Sequence, residues 1–356
     1  MPRLAVALAL SLALIPSPAS SGLPITAEPV LTGLPFPASF TFLPDGSILY
    51  GERFTGNIRL HNETTGTTTT FFTVPNLATD GEQGLLGLAV HPDYPAQPYV
   101  YAFATRTTPS GLRNQILRIT SNGATGSAMK IIMAAHAARI HNGGRILFGP
   151  DRHLYAVIGE NGLPGNSQAL PGTQLGKVLR MTDTGAVPAS SPFGTRVWAY
   201  GIRNSFGMGF DPDTGRLWLT DNGPRCNDEI NRIVRGSNYG WGPHQTCSTP
   251  PQPPVNTNQD GPNPVLPNRW FAAPPALTGI AFCRSCGLGA DSEGTVFVAA
   301  FNTGEIRRFT LGPQRWSLSA QTVALDHAGR VLALERSPTG ALYFSDLSGI
   351  YRLDAA

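Results

Sequence analysis

The stretch Phe40–Tyr50 reads FTFLPDGSILY, which is an apolar run, a Pro-Asp-Gly turn and a second apolar run. Proline, aspartate and glycine favour tight turns, and short runs of aromatic and branched residues on either side are typical of strands. The stretch therefore predicts two antiparallel strands joined by a tight turn.

The same unit of strand, turn and strand recurs along the chain. A spacing of roughly 50 to 80 residues between copies is typical of propeller blades, and a β-sandwich has no reason to repeat one turn at such intervals. The copies begin at Phe40, Leu88, Ile146, Met208, Gly289 (in a degenerate form) and Leu334. The sequence therefore predicts an all-β fold, a single six-bladed β-propeller domain over residues 22–356.

The composition agrees with short strands and restricts the partners. Of the 356 residues, 40 are glycine and 32 are proline, which favours many tight turns over long helices. The formal charge of +3 arises from 26 basic and 23 acidic residues that form no dense basic stripe. We therefore expect neither nucleic acid nor an anionic membrane as a partner, while the sequence leaves the oligomeric state open.

The first residues have the pattern of a secretory signal peptide. Arg3 supplies the positive start, Leu4–Ile15 the apolar run and Pro16–Ser20 a small-residue exit. The run of about twelve apolar residues is shorter than the roughly 20 that span a bilayer, so we expect no membrane span. The sequence predicts a signal peptide at residues 1–21 and a secreted or periplasmic protein.

Export makes the four cysteines candidates for disulfides. Three pairings are possible. We favour Cys226 with Cys247, which joins the ends of a proline-rich excursion, and Cys283 with Cys286, which closes a tight loop. A four-cysteine zinc site is the alternative, although the first two cysteines lack the short spacing of structural zinc ligands. The proline- and asparagine-rich residues 249–275 are expected to form a long surface loop.

Polar residues beside glycines stand at equivalent ends of the repeated unit. They are GEQG at 81–84, HNGG at 141–144, GEN at 159–161, GIRN at 201–204 and DNGP at 221–224. Loops at one mouth of a propeller channel are the usual place for a site, so we expect these clusters to converge. Histidine exchanges a proton near neutral pH, which makes His141 a candidate base. Gly143 and Gly144 add no side-chain bulk beside it, so a flat ligand has room to approach.

The order of longer motifs resembles one known family. The motifs are GEQGLLGLAVHPDY at 81–94, HNGGRILFGPD at 141–151, GIRNSFGMGFDPDTGRLWLTDNGP at 201–224, DEINRI at 228–233, NYGW at 238–241 and SPTGALYFSD at 337–346. They resemble the soluble glucose and sorbosone dehydrogenases that depend on pyrroloquinoline quinone (PQQ). The resemblance implies a six-bladed propeller that oxidises a sugar or polyol hydroxyl, with PQQ and Ca²⁺ as cofactors.

The resemblance implies three catalytic residues. His141 matches the general base that takes the proton of the sugar hydroxyl while hydride passes to the quinone. Glu160 matches the carboxylate that orients this histidine, at a position where the family commonly has aspartate. Arg203 matches the arginine that polarises the quinone carbonyl receiving the hydride.

The resemblance also implies the residues that bind the cofactors. Gln83 and Asn204 match neighbours of the quinone. The backbone carbonyls of Gly223 and Pro224 match those that hold the calcium bridging to the quinone, a hard cation that prefers oxygen ligands.

Two family cations are missing from the matching positions. Asn302 stands where the family has a lysine that contacts the cofactor, and of an Arg-x-Arg pair only Arg330 remains, with Leu332 in the second place. Each lost charge-assisted hydrogen bond is worth roughly 1.5 to 3 kcal/mol. Arg307 and Arg308 are nearby candidates to replace them, and strand alternation lets one of the two face the channel.

Three functions are therefore compared. The first is an exported quinoprotein dehydrogenase acting on a sugar or polyol, with an electron acceptor that the sequence does not identify. The second is a non-catalytic propeller that binds a carbohydrate or a protein, suggested by the missing cations. The third, a calcium-dependent lactone hydrolase, needs a ring of acidic or amide side chains that the sequence does not show. Asp228 and Glu229 are candidate calcium ligands, but we favour a solvated surface pair for them.

Overall fold

Six four-stranded antiparallel sheets make up the part of the chain that the computed structural model describes, residues 24–244, 247 and 258–356. The predicted signal peptide at residues 1–21 and residues 249–257 of the predicted loop lie outside the described residues. The sheets are arranged as the blades of a six-bladed β-propeller, which confirms the predicted fold.

Each blade has an inner strand and three strands outside it, in chain order. Strand β1 (Ile25–Thr32) completes the last blade. Blade 1 contains β2 (Pro37–Phe42), β3 (Ile48–Glu52), β4 (Asn57–Asn62) and β5 (Thr67–Thr73). Blade 2 contains β6 (Leu85–Val90), β7 (Tyr99–Thr108), β8 (Gly111–Ser121) and β9 (Gly126–His136). Blade 3 contains β10 (Ile146–Phe148), β11 (Leu154–Ile158), β12 (Lys177–Met181) and β13 (Val197–Tyr200), with the short helix α1 (Gly165–Gln168) after β11.

The remaining blades follow the same order. Blade 4 contains β14 (Gly207–Phe210), β15 (Leu217–Asp221), β16 (Asp228–Ile233) and β17 (Arg269–Phe271). Blade 5 contains β18 (Leu277–Phe282), β19 (Val296–Ala300), β20 (Glu305–Leu311) and β21 (Leu318–Asp326). Blade 6 contains β22 (Ala333–Arg336), β23 (Leu342–Ser345) and β24 (Gly349–Ala355), and β1 pairs with β24 from Ile25 opposite Ala355 to Thr32 opposite Gly349. This pairing closes the ring, because one blade combines a strand that precedes blade 1 with three strands that follow blade 5.

The apolar core lies between the blades and not within them. Phe40, Ile48 and Tyr50 of blade 1 pack against blade 6, whereas Leu49 and Ile58 pack against blade 2. Both faces of the sheet are therefore buried, which explains why the run at Phe40–Tyr50 is apolar without strict alternation.

The inner strands β2, β6, β10, β14, β18 and β22 contact one another around the channel. We call the end at which these strands begin the upper face. Residues just before an inner strand, and residues just after the second strand of a blade, lie at this face because the two strands are antiparallel.

Both predicted disulfides are present, Cys226 with Cys247 and Cys283 with Cys286. The pairing leaves no free thiolate for the alternative four-cysteine zinc site. Among the described residues, no helix is long and apolar enough to cross a membrane.

Candidate active site

His141 and Glu160 form a buried pair at the upper face. His141 precedes β10 and Glu160 follows β11, its antiparallel neighbour, so the fold brings them together. Nδ1 of His141 lies 2.8 Å from Oε1 of Glu160, and their side chains are 11% and 2% exposed. A carboxylate at Nδ1 fixes the imidazole tautomer and leaves Nε2 able to accept a proton. Glutamate therefore reaches the histidine from the position where the family commonly has aspartate.

The backbone of His141 is held in an uncommon conformation. Its φ of 56° lies in the left-handed region, which costs a non-glycine residue about 1 to 3 kcal/mol and occurs preferentially at functional sites. The N–H of His141 donates to Oε2 of Glu82 at 2.8 Å, and its carbonyl accepts from the N–H of Asn161 at 3.2 Å. These two bonds fix the loop from both sides.

The two glycines after His141 are required by the backbone as well as by space. Gly143 and Gly144 have φ of 65° and 115°. A Cβ on Gly143 would lie 2.6 Å from the carbonyl oxygen of Val157, and one on Gly144 would lie 2.4 Å from Cβ of Leu86. Their first role is thus to let the loop pack against blades 2 and 3.

Arg203 is a fixed cation beside this pair. Its N–H donates to Oδ2 of Asp221 at 2.9 Å, and its Nη1 donates to the carbonyls of Asn222 (2.8 Å) and Gly223 (3.2 Å). The guanidinium lies over the ring of Trp241, 5.3 Å from the ring centre. Its Nε is buried and has no hydrogen-bond partner among the described residues.

Asn204 and Gln83 are occupied by the protein itself. Asn204 donates from Nδ2 to Glu82 and accepts at Oδ1 from the N–H of Gly143. Gln83 accepts at Oε1 from the N–H of Asp80 and donates from Nε2 to the carbonyl of Ala138. Both side chains brace the loops at the upper face, whereas the preceding residue, Glu82, lines a cavity.

A cavity of about 260 Å³ opens at the channel mouth. Its lining includes Arg53, Glu82, Gly143, Arg145, Phe301 and Leu332. It borders the His141 loop through Glu82 and Gly143, while the ring of His141 and the side chain of Arg203 lie outside its lining. Ligand sites begin at about 300 Å³, so this space fits part of a small flat ligand whose remainder rests on the open upper face.

The positions with missing cations are also at the upper face. Asn302 is exposed and donates from Nδ2 to the carbonyl of Pro274 at 3.4 Å. Arg330 is exposed, and its guanidinium lies 4.9 Å from the ring centre of Phe301. Leu332 is buried and lines the cavity.

The proposed replacements Arg307 and Arg308 do not reach the channel. Both lie on β20, two strands away from the inner strand of blade 5. Arg307 donates to Glu305, and Arg308 donates from Nη1 to Ser292 at 3.1 Å. The expectation that one of them faces the channel is wrong, because alternation along a third strand points side chains at neighbouring blades.

Arg145 closes the channel below the cavity, a role that the sequence did not reveal. Its guanidinium donates to four backbone carbonyls, those of Phe206 (2.7 Å), Ala38 (2.8 Å), Leu86 (3.0 Å) and Leu332 (2.7 Å). These carbonyls belong to blades 4, 1, 2 and 6, so the side chain from blade 3 lies on the propeller axis. Burial lowers the pKa of Arg145 to about 10, against the opposing effect of Glu335.

Asp228 and Glu229 are buried, so the expectation of a solvated surface pair is wrong. Burial raises the pKa of Glu229 to about 8, that of Asp228 to about 6 and that of the nearby Asp221 to about 7. Asp228 accepts from the N–H of Gly223 at 2.9 Å and so supports the Gly223–Pro224 turn. Strand β16 begins at Asp228, and both of its faces are covered by neighbouring residues. The charged residues of the motif DEINRI had indicated an exposed segment instead.

Comparisons with known proteins agree with this geometry. The chain is 35% identical over 245 residues to quinoprotein glucose dehydrogenase B of Acinetobacter calcoaceticus, covering 60% of this chain and 51% of that protein. The chain thus spans about half the length of that relative. It is 26% identical over 355 residues to the aldose sugar dehydrogenase YliI of Escherichia coli, covering 94% of this chain and 92% of the relative.

A solved structure extends the comparison to the fold. The PQQ-bound form of aldose sugar dehydrogenase from Streptomyces coelicolor has a TM-score of 0.80 and 28% sequence identity, covering 95% of this chain and 99% of that chain. Residues 34–349 match the model of the glucose / sorbosone dehydrogenase family. The resemblance seen in the motifs is confirmed, and the chain belongs to this family of oxidoreductases.

Proposed function

We propose that the protein is an exported dehydrogenase that oxidises a hydroxyl-bearing carbon of an aldose or polyol, with PQQ and calcium as cofactors. The observation that carries the proposal is the His141–Glu160 pair beside Arg203 at the channel mouth. The pair offers a base whose Nε2 does not contact Glu160, and Arg203 offers a cation fixed by two backbone carbonyls. The similarity to a quinoprotein glucose dehydrogenase and to a PQQ-bound aldose sugar dehydrogenase supports the same reading.

The residues at the upper face fit a flat, anionic quinone. Gly143 adds no side chain to the cavity wall, and Phe301 contributes an aromatic ring. The fixed guanidinium of Arg203 is a cation suited to stabilise a carbonyl oxygen that gains negative charge. When bound, PQQ supplies the acceptor for the hydride of the substrate carbon.

The side chains of this protein would carry out the proton transfer. Nε2 of His141 takes the proton of the substrate hydroxyl while the hydride leaves the carbon that carries this hydroxyl. The C–O single bond thereby becomes a carbonyl. Glu160, at Nδ1, stabilises the imidazolium that results and keeps the ring in place. Arg203 stays charged and bound to the carbonyls of Asn222 and Gly223, so it needs no reorganisation during the reaction.

The Gly223–Pro224 turn is the proposed calcium position. Gly223 and Pro224 are partly or fully exposed at the mouth, and their carbonyls are the hard oxygen ligands that calcium prefers. Asp228 and Asp221 lie behind the turn, where they accept from the N–H groups of Gly223 and Arg203 and so hold its backbone in place. Calcium held there would sit next to Arg203 and would join it in attracting the quinone.

Export is supported by the disulfides. Disulfides persist in secreted and periplasmic proteins and are rare in the reducing cytosol. The pairs Cys226–Cys247 and Cys283–Cys286 are therefore consistent with the predicted signal peptide at residues 1–21.

Reconstitution tests the proposal. Purified apo-protein is titrated with PQQ in the presence of calcium, and reduction of an artificial dye is then followed with a panel of aldoses and polyols. We expect saturable PQQ binding and dye reduction with at least one sugar class. Absence of PQQ binding at micromolar concentration would reject the proposal. Sugar binding without PQQ binding would instead favour the non-catalytic carbohydrate-binding propeller.

A further inference from the structure

Arg53 is a cation at the site that family matching did not identify. It directly follows β3, on the upper face of blade 1, and lines the cavity at the channel mouth. The positions that would supply family cations, Asn302 and Leu332, carry no charge. An anionic cofactor in this protein must therefore obtain its counter-charge from other residues.

The guanidinium of Arg53 is held rigidly by its neighbours. Nε donates to the carbonyl of Gln83 at 3.0 Å, and Nη2 donates to the carbonyl of Gly81. The group lies over two aromatic rings, 5.0 Å from the centre of Phe36 and 4.6 Å from that of Phe54. The two rings contact each other edge to face, 5.1 Å between their centres, and the guanidinium rests against both. These contacts and the two backbone acceptors fix the direction of the planar fork.

Part of this guanidinium is available to a ligand. Within the described residues, Nη1 of Arg53 has no hydrogen-bond partner and no carboxylate forms an ion pair with the group. The nearest acidic group, Glu82, is engaged at Oε2 by the N–H of His141 and by Nδ2 of Asn204. Arg53 is half-buried, so its free Nη1 is open to a ligand, and a ligand carboxylate would form a charge-assisted hydrogen bond with it.

A second cation lies next to the same cavity. Phe301 lines the same cavity as Arg53, and the exposed Arg330 stacks on that ring at 4.9 Å. Arg53 and Arg330 are thus two cations at the same cavity, and Arg203 lies beyond the His141 loop.

We propose that Arg53 binds a carboxylate of the quinone and replaces charge that the family places at the positions of Asn302 and Leu332. This inference rests on the proposed function, because it assumes that PQQ is the ligand. Through Arg53, blade 1 also contributes a residue to the proposed cofactor site.

The test measures binding and not turnover. Apo-protein is titrated with PQQ in the presence of calcium by quenching of tryptophan fluorescence, since Trp241 lies beside Arg203. Arg53→Gln is expected to raise the Kd for PQQ by about tenfold to a hundredfold, the loss of one charge-assisted hydrogen bond. Arg59→Gln is the matched control, since Arg59 lies on β4 of the same blade and pairs with Glu52 outside the cavity. Its Kd is expected to stay unchanged.

The trimethyl ester of PQQ separates charge recognition from loop positioning. Wild type and Arg53→Gln are expected to bind this ester with equal Kd, because no carboxylate remains to be recognised. Adding Asn302→Lys to Arg53→Gln is expected to restore at least part of the affinity for PQQ. Equal PQQ affinity of wild type and Arg53→Gln, or an equal loss for PQQ and its ester, overturns the inference.

The behaviour of wild type and the folding of the variant determine what a negative result means. If wild type itself fails to bind PQQ, the proposed function is rejected, and the assignment of Arg53 is rejected with it. If Arg53→Gln does not fold, Arg53→Lys is used, since it keeps the charge but loses the fork. It is expected to bind PQQ several-fold more weakly and the ester normally, and unchanged PQQ binding would overturn the inference.

Discussion

Nδ1 of His141 lies 2.8 Å from Oε1 of Glu160, and the two residues are brought together by the antiparallel pairing of β10 and β11. The second carboxylate oxygen of Glu160 accepts from the N–H of Gly162, so the acidic side chain is fixed at both oxygens. The imidazole therefore has one oriented nitrogen and one free nitrogen.

Glu160→Gln is expected to lower kcat by about 100-fold or more with little change in PQQ binding. Glutamine has the same length, but it no longer supplies the negative charge that stabilises the imidazolium. Steady-state dye reduction and a PQQ titration measure the two effects. Glu63→Gln, at an exposed turn, serves as the control. A kcat within threefold of wild type contradicts the orienting role.

His141→Asn is expected to lower kcat by about 10² to 10⁴ while the protein stays folded and binds PQQ. Asparagine tolerates the left-handed backbone that residue 141 adopts at φ 56°, so the substitution removes the base without forcing the loop. The measurement is kcat together with a thermal melt. Full activity in a correctly folded variant would show that another group takes the proton.

Arg145→Met is expected to destabilise the fold by about 3 to 5 kcal/mol, since it leaves buried carbonyls from four blades without a donor. Urea denaturation with the disulfides intact measures the loss. Arg216→Met is the control, because Arg216 is half-buried and donates to the single carbonyl of Gln314. A loss no larger than that of the control would mean that the axial bonds contribute little.

Glu335→Gln is expected to change how stability depends on pH. Glu335 lines a lower cavity of about 310 Å³ together with Arg145 and His91. Burial raises its pKa from 4.5 to about 7, and Arg145 opposes the rise. The native state therefore binds the proton more tightly than the unfolded chain, and the stabilisation present below about pH 4.5 is lost as the pH rises through 7.

Replacing the carboxyl by an amide removes this loss. Between pH 5 and pH 8, the free energy of unfolding of wild type should fall relative to that of Glu335→Gln, by at most about 3 kcal/mol. His91 titrates in both proteins and cancels in the difference. Denaturation curves at the two pH values provide the measurement, and parallel pH profiles would argue that Glu335 is ionised in both states.

Much of the architecture was predictable from the repeated strand-turn-strand unit. The blade count and the upper-face position of the glycine-flanked clusters follow from local pattern, because each copy repeats the same hydrophobic and turn chemistry. Both disulfide pairings were the ones favoured among the three that the sequence allowed, and the structure contains them. The His141–Glu160 contact was expected from family resemblance, and the structure supplies its distance.

Other features could not be predicted from the local sequence pattern. Gln83 and Glu82 are adjacent, and the structure turns Gln83 toward backbone groups and Glu82 toward the cavity. Arg307 and Arg308 looked close to the channel in sequence, yet β20 lies two strands from it.

The sequence by itself determined that the chain forms short antiparallel pairs, how many such units it has and which family its motifs resemble. These properties depend on residues that are neighbours along the chain. The tertiary structure alone decided that Arg145 lies on the axis, that Asp228 and Glu229 are buried, and that Arg53 of blade 1 faces the same cavity as Phe301 of blade 5. Such relationships arise when six distant segments close into a ring, because burial and charge pairing depend on partners that local sequence does not contain.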